Sequence, residues 1–290
     1  MTVQLLDYEL PADLVAQHPP GRRDEARLLV CDRVTGDVRH RSVADLPDEA
    51  GGRLVVVNDT RVVPARLAVR RASRGAVEVL LVERIADDTW EALARPSRRL
   101  RVGETLEGDG GSVELLESLG GGRWRILLRG APHGELPLPP YIHERLADPE
   151  RYQTVYATET GSAAAPTAGL HFTPELLARV AHERITLHVG LDTFRPVTAE
   201  QVLAVGTTTT RVLETVARGG PLGGRSDLFI TPGFRFRRVD ALLTNFHLPR
   251  TTLLALVMAF AGVERTRELY ALAIRERYRF YSFGDAMLIL

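Results

Sequence analysis

A chain of 290 residues with 44% apolar content is long enough for one large domain or two ordinary ones, and too apolar for disorder. Its 37 basic residues, all arginine, balance 37 acidic ones, which excludes a basic field over the whole surface and confines any nucleic-acid site to a local patch. A single cysteine, Cys31, excludes a disulfide framework and a multi-cysteine metal site, and in LLVCD it reads as a small apolar filler of a strand.

MTVQLLDYELPADL lacks the charged start and long apolar core of a secretory signal. The longest apolar run, Leu253 to Ala261, is too short to span a bilayer. The expectation is a cytoplasmic protein without a membrane partner. From Tyr8 to Thr60 the texture is mixed. YELPADLVAQHP predicts a short helix with an early proline. RLLVCDRVTGDVRHRSV predicts two strands about a TGD turn. GRLVVVNDT is apolar until its polar end, the form of a central strand covered on both faces.

From Val62 to about Gly130, ARLAVRR, AVEVLLVERI, TWEALAR, SVELLES and RWRILLRG alternate in polarity and are separated by EGDGG and LGGG. That spacing predicts a small barrel or sandwich, closed off by the proline-rich LPLPPYI. After Arg151 the pattern changes again. TPELLARVAHE predicts a helix with Thr173 as N-cap and Pro174 in its first turn. ITLHV, VLAVG, DLFIT and VDALLTN predict strands, and TTTRVLETVA, TTLLALVMAF and RTRELYALAIRERY predict helices. Alternation of this kind defines an α/β layer. The predicted architecture is a discontinuous α/β domain, barrel-like or layered, built from residues 1–61 and 151–290, with a small all-β barrel-like domain over 62–150 inserted in it.

The glycine-rich stretches do not bind nucleotides by the usual routes. GDGGS and LGGGR lie between strands and RGGPLGGRSD follows a helix, whereas dinucleotide and phosphate loops need strand, glycine loop and helix in that order. HExxH, CxxC and GxSxG are absent, so no metal is expected and no serine elbow. The informative places are strand-to-helix junctions. In AVGTTTTR, Gly206, Thr207, Thr208 and Arg211 put free amides, hydroxyls and a guanidinium where a carboxylate or phosphate can sit; plain capping by Thr207 or Thr208 is the alternative. In SAAAPTAGLHF, small residues around Thr167 and Gly169 permit close approach of a ligand or of another piece of backbone.

His171, His188 and His247 each stand at a strand end or helix start. One such histidine is ordinarily a hydrogen-bonded core residue, but three in one α/β layer point to a ligand site. Asn58, Asp59 and Arg61 follow a buried strand and lie where the chain leaves for the β segment, facing either a turn or an interdomain cleft.

YELPADLVAQHP, VVVNDTRVVPARL, LPLPPYI, SAAAPTAGLHFT, TLHVGLDTFRPV, AVGTTTTR, LFITPG, VDALLTNFHLPRTTLLALVMAFAG and YRFYSFGDAML, taken in order, resemble the S-adenosylmethionine:tRNA ribosyltransferase-isomerase family of queuosine biosynthesis over nearly the whole chain. The resemblance implies transfer and isomerisation of the ribosyl part of S-adenosylmethionine onto a 7-aminomethyl-7-deazaguanine wobble base. Epoxyqueuosine-tRNA would form, and adenine and methionine would leave. S-adenosylmethionine is then a co-substrate with no further cofactor, the tRNA anticodon stem-loop is the partner, and the protein is a monomer. On this reading His171, His188 and His247 are catalytic. Asn58, Asp59, Arg61, Thr167, Gly169, Thr193, Gly206, Thr207, Thr208, Arg211 and Asn245 contact substrate, and Arg61, Arg66, Arg70 and Arg71, at the entry to the β segment, are candidates to meet RNA phosphates, with a solvated strand face as the alternative, above all for Arg70 and Arg71.

The chain departs from the family in length, and ARVAHERITLHV and RGAPHGELPLPPYI are each a few residues short. Members carry a His-rich, Glu-containing stretch and a helix between the TFRPV-like and AVGTT-like motifs, whereas here Val197 is followed only by Thr198, Ala199, Glu200 and Gln201. Two other classes therefore stand beside the first: a tRNA-binding remnant without turnover, and a nucleotide-binding transferase that needs no tRNA.

Overall fold

Strands that are apolar at every position must be covered on both faces, and that requirement organises the larger half of the fold. The computed structural model describes residues 3–130, 133–188, 191–193, 201–224 and 226–290. The first strands are β1 (Arg27–Cys31), β2 (Val38–Ser42) and β3 (Leu54–Asn58), with a one-turn helix α1 (Leu46–Glu49) before β3. A short β4 (Thr60–Val62) leads into β5 (Arg66–Arg70), β6 (Ala76–Arg84), β7 (Thr89–Arg95), β8 (Thr105–Gly108), β9 (Gly111–Gly120), β10 (Arg123–Gly130) and β11 (Gly134–Glu135). The chain returns through β12 (Glu159–Ser162), α2 (Pro174–Ala178), β13 (His182–His188), β14 (Leu191–Thr193) and β15 (Val202–Val205). Then come α3 (Thr207–Val216), β16 (Gly223–Gly224), β17 (Ala241–Asn245), α4 (Thr252–Ala261), α5 (Val263–Arg275) and β18 (Ala286–Ile289).

One sheet has the order β16-β14-β13-β3-β15-β17-β18-β1-β2. β13, β3, β15 and β17 run parallel. β18 opposes β17 and runs with β1. α3, α4 and α5 cover one face, setting Val212, Leu254, Val257 and Leu269 against Val56, Ala204, Leu242 and Met287. Leu46, Phe172 and Leu176 cover the other, against Val55, Val57, Leu203 and Leu243. The parallel strands β15 and β17 therefore end on one edge, at Val205 and Asn245, each followed by a helix.

The β segment closes on itself. Six strands in the order β5-β6-β7-β10-β9-β8 form a barrel because β5 also pairs with β8, and β11 adds to the edge of β5. A barrel of this size has room only for its own side chains, here Leu67, Val79, Leu106, Leu115, Trp124 and Ile126 among others. At the crossing between the sheets, the buried Gln153 carboxamide holds both backbone groups of Val62, accepting from its N–H and donating to its C=O, each at 2.9 Å. β4 and β12 pair in parallel beside it.

The structure corrects several expected elements. DLFIT is not a strand: residues 227–231 have no regular structure, and β17 takes the place beside β15. TPELLARVAHE is helical only to Ala178, because His182 onward pairs with β3 and sheet pairing overrides the local helical pattern. YELPADL yields only a single 3₁₀ turn, Ala12–Leu14. The sequence reading has no strand at AMLIL, yet β18 lies there between β17 and β1; a run that short carries no period of its own.

The irregular stretch replacing DLFIT is held by one group. Glu214 of α3 has no solvent exposure. Its carboxylate accepts from the backbone N–H groups of Arg237 (2.9 and 3.0 Å), Arg238 (2.8 Å) and Val239 (3.0 Å), and from the Arg218 guanidinium. Removing a buried partner leaves the others desolvated and unpaired, so Glu214→Ala should cost about 3–5 kcal/mol in urea unfolding. Glu117→Ala, which breaks the exposed pair with Arg125, should cost under about 1 kcal/mol. Equal midpoints for the two variants would mean that Glu214 anchors nothing.

Candidate active site

A cavity of about 270 Å³ opens at the edge where β15 and β17 end. Its walls are Gly206 to Thr209 at the start of α3, Thr244 to Leu248 after β17, the loop Ala164 to Ala168, and Tyr141, Tyr152, Tyr281 and Ser282. Among the described residues, no Asp, Glu or Arg lines it. The three tyrosines also keep their protons: burial raises all of them, Tyr281 to about 12. The result is an uncharged chamber of rings and hydroxyls that suits a neutral heterocycle or a sugar better than a phosphate.

Gly206, with φ 94°, turns the chain from β15 into α3 and is itself the N-cap, without a side-chain bond. Thr207 and Thr208 lie inside the first turn and do not cap it. Thr209 and Thr210 bond back to the carbonyls of Val205 and Gly206, at 2.7 and 3.1 Å. The free amides of that turn therefore stay available to a ligand. α4 is capped by Thr251, which accepts from Leu254 N–H at 3.3 Å.

Asn245 closes β17 and is 2% exposed. Its Nδ2 donates to His171 Nε2 at 3.1 Å, which leaves the imidazole proton on Nδ1. Its Oδ1 is buried with no partner among the described residues. A buried acceptor left open at the wall of a cavity is the kind of group that a ligand N–H satisfies. His247 is half-buried and shares a 2.8 Å hydrogen bond between its Nε2 and Thr244 Oγ1. Its backbone is gripped twice: its N–H donates to Tyr270 Oη at 3.0 Å, and its carbonyl accepts from Tyr8 Oη. Tyr281 carries φ 72°, an uncommon backbone state for an aromatic residue and one that places its ring at 4.7 Å from that of Tyr141.

Burial pushes both imidazoles down to about 4, helped for His171 by the positive charges of Arg279 and Arg23. Both are neutral at pH 7.

The expected site residues separate into groups. Thr167, Gly206, Thr207, Thr208, Asn245 and His247 line the cavity. His171 stands directly behind Asn245, in the 3₁₀ turn Thr167–His171 and not at a strand end. Arg211 lines an adjoining depression with Thr207, Thr208 and Leu228 to Ile230. Gly169 serves packing: a Cβ there would lie 2.0 Å from Tyr156 Oη. Asn58, Asp59 and Arg61 do not reach the cavity. Asn58 Oδ1 accepts from Thr60 N–H at 3.1 Å. Asp59 accepts from Thr186 Oγ1 at 2.8 Å. Arg61 pairs with Glu150 at 2.5 Å. For His188 and Thr193 only the strand pairing is described, and their side chains lie outside the described residues. Tyr141, Tyr152, Tyr281 and Ser282 were not among the expected contacts, although LPLPPYI and YRFYSFGDAML carry three of the four. Among the described residues, no three His, Cys, Asp or Glu side chains come together to hold a metal.

A mixed α/β sheet with a pocket at its strand ends and a β-barrel inserted between its strands has the layout in which α/β enzymes bind their substrates. The sequence model of the family described as queuosine biosynthesis protein matches residues 3–202 and 198–289. The S-adenosylmethionine:tRNA ribosyltransferase-isomerase of Rubrobacter xylanophilus is 50% identical, covering 100% of this chain and 98% of its own. That of Moorella thermoacetica is 48% identical, with both chains covered in full. The crystal structure of the S-adenosylmethionine tRNA ribosyltransferase of Thermotoga maritima matches with a TM-score of 0.58 at 36% identity, over 99% of this chain and 100% of that one. The chain belongs to this family of enzymes. The two alignments run over 331 and 344 positions against 290 residues here, so the relatives carry segments that this chain lacks. The two family matches meet at residues 198–202, where the His-rich stretch would stand.

The imidazole shifts fix the sign of an acid effect. An unfolded histidine takes up a proton near pH 6.5, while folded His171 refuses it until about 4. Stability is therefore full above pH 6.5 and falls as the pH drops toward 4, by an amount on the order of 3 kcal/mol for His171. Urea midpoints across that range should show the fall, and His171→Gln should remove its share of it and leave that of His247. An equal slope in the variant would mean that other groups cause it.

The Gly169 contact gives a second expectation. Gly169→Ala should destabilise by about 1–3 kcal/mol through overpacking. Tyr156→Phe removes a buried hydroxyl that has no partner and should be neutral or stabilising. Combining the two should recover part of the loss in thermal unfolding; strict additivity would refute the contact.

Proposed function

We propose that this enzyme moves the ribosyl group of S-adenosylmethionine onto the 7-aminomethyl-7-deazaguanine wobble base of tRNA, forming epoxyqueuosine-tRNA and releasing adenine and methionine. The observation that carries this reading is the uncharged cavity with an open buried acceptor, Asn245 Oδ1, joined to the free amides of α3. The adenosine part of S-adenosylmethionine fits the chamber. Asn245 Oδ1 accepts from an adenine N–H, and the hydroxyls of Thr207 and Thr208 face the sugar. The methionine carboxylate lies toward the first turn of α3 and Arg211.

The sulfonium acidifies the neighbouring ribose CH₂, and the base that removes that proton must be unprotonated at neutral pH. His247, neutral and in the cavity wall, meets that requirement. His171 orients Asn245. The amine of the RNA base is the nucleophile, so no serine or cysteine is needed. The RNA partner is the anticodon stem-loop of tRNA, entering between the barrel and the α/β part. The domains divide as 1–61 with 151–290, and 62–150, which the separate sheets support. The protein is a cytoplasmic monomer; among the described residues no helix is long and apolar enough to cross a membrane.

One observation favours a second reading, a tRNA-binding protein without turnover: the shortened junction at residues 198–202. Labelled S-adenosylmethionine incubated with precursor-bearing tRNA separates them, since only the transferase releases adenine. Within that assay His247→Ala should lose more than about tenfold in kcat and keep its thermal midpoint. Asn245→Ala should lose turnover and also about 1–3 kcal/mol of stability, because it strands His171 Nε2. A His247→Ala protein that melts early yet turns over normally would make this residue structural.

A further inference from the structure

Most guanidiniums on the barrel are already engaged. Arg66 pairs with Glu78, Arg71 with Glu104, Arg123 with Glu91, Arg125 with Glu117 and Arg129 with Glu114, while Arg84 donates to the Asp87 carbonyl. The loop from Pro96 to Glu104 is different. Arg98, Arg99 and Arg101 are exposed, and their guanidiniums have no carboxylate or carbonyl partner among the described residues. They line one depression with Arg71, whose charge Glu104 already neutralises at 2.5 Å. In a chain whose formal net charge is zero, this is a local surplus of three positive charges.

The loop is also rigidly mounted. Trp124 Nε1 donates to Ser97 Oγ at 3.1 Å, Gly103 N–H to Leu115 C=O at 2.7 Å, and Arg101 N–H to Glu104 Oε2 at 3.1 Å. Leu100, 8% exposed, is buried in the barrel core between the arginines. No aromatic residue stands between Pro96 and Gly103, so the loop offers a base no aromatic ring on which to stack. Exposed guanidiniums on a firmly held loop, with no aromatic platform beside them, suit phosphates.

The topology says where the loop points. β5 and β7 are each antiparallel to β6 and hence run the same way. The loop after β7 therefore opens at the end of the barrel remote from Val62, where the chain crosses between the sheets. That is one barrel length away, roughly 20–30 Å at about 3.3 Å per strand residue.

We propose that the Pro96–Glu104 loop docks the sugar-phosphate backbone of a helical RNA stem, gripping tRNA a barrel length from the crossing while its loop bases reach the cavity. This rests on the tRNA reading above. It also moves the phosphate contacts away from Arg61, Arg66 and Arg71, which the structure pairs with carboxylates, leaving Arg70 alone of that expected set without one.

The test is the full chain carrying Arg98→Gln, Arg99→Gln and Arg101→Gln together, titrated with a tRNA transcript over a range of KCl. Each lost phosphate contact lowers the slope of log affinity against log salt by just under one. The variant should lose about two to three from the slope and at least about tenfold in affinity at low salt. In turnover it should raise KM for tRNA and leave kcat and the thermal midpoint in place. Unchanged slope and affinity overturn the proposal. So does an equal loss for a single-stranded oligonucleotide, which would make the depression a single-strand groove. Wild-type protein that releases no adenine, yet shows the slope and its loss in the variant, defeats the transferase reading and leaves this one standing.

Discussion

Everything at the active edge of the sheet depends on where β17 begins, and that is set by the carboxylate of Glu214. Asp240, just before β17, is bonded to Val202 of β15, but Arg237, Arg238 and Val239 ahead of it belong to no strand or helix. Their amides converge instead on one buried acid projecting from α3. Because β17 is only five residues long, fixing its start fixes its end, and its end is Asn245. The same acid belongs to the helix whose first turn forms the opposite wall of the cavity. One carboxylate therefore keeps both walls in register, at the desolvation cost of an ion with no access to water.

The distribution of charge follows from what each surface meets. Among the described residues no ionised side chain lines the cavity, and burial keeps the His247 imidazole and the phenols neutral. A cluster of three arginines without carboxylate partners among the described residues, Arg98, Arg99 and Arg101, is at the remote tip of the barrel. A sulfonium substrate bound in a neutral chamber has its own charge weakly screened, which keeps the adjoining C–H acidic. A polyanion approaching the barrel tip meets guanidiniums without drawing them into that chamber. The equality of acids and bases across the whole sequence conceals this separation.

Much of this was legible in the sequence because it depended on local pattern. The central strands announced themselves by unbroken apolar runs, the barrel by alternation, and the junctions at Gly206 and Asn245 by polar residues abutting those runs. What escaped depended on partners remote in sequence. AMLI is a strand only because β17 and β1 flank it, and DLFIT is not one because β17 holds the place beside β15. Asn58, Asp59 and Arg61 looked like a site because they follow a buried strand. Their hydrogen bonds to Thr60, Thr186 and Glu150 show that this edge position is spent on the crossing to the barrel. Gly169 looked like room for a ligand, and the room belongs to Tyr156. Tyr281 gave no local signal at all, since its backbone state is imposed by its surroundings.

The clamp of Gln153 on Val62 bears on how such a chain can assemble at all. β3 and β13 are neighbours in the sheet, yet Asn58 and His182 are separated by the whole barrel sequence. Closing a loop of that length from a random chain is an entropic burden that grows with the logarithm of the residues enclosed. The barrel consists of contiguous segments that pair mostly with their sequence neighbours, so it can form before the sheet does. Once it has formed, it delivers its entry and exit strands side by side, and Gln153 fastens them. What the nascent sheet then has to close is the short stretch on either side of a knot already tied.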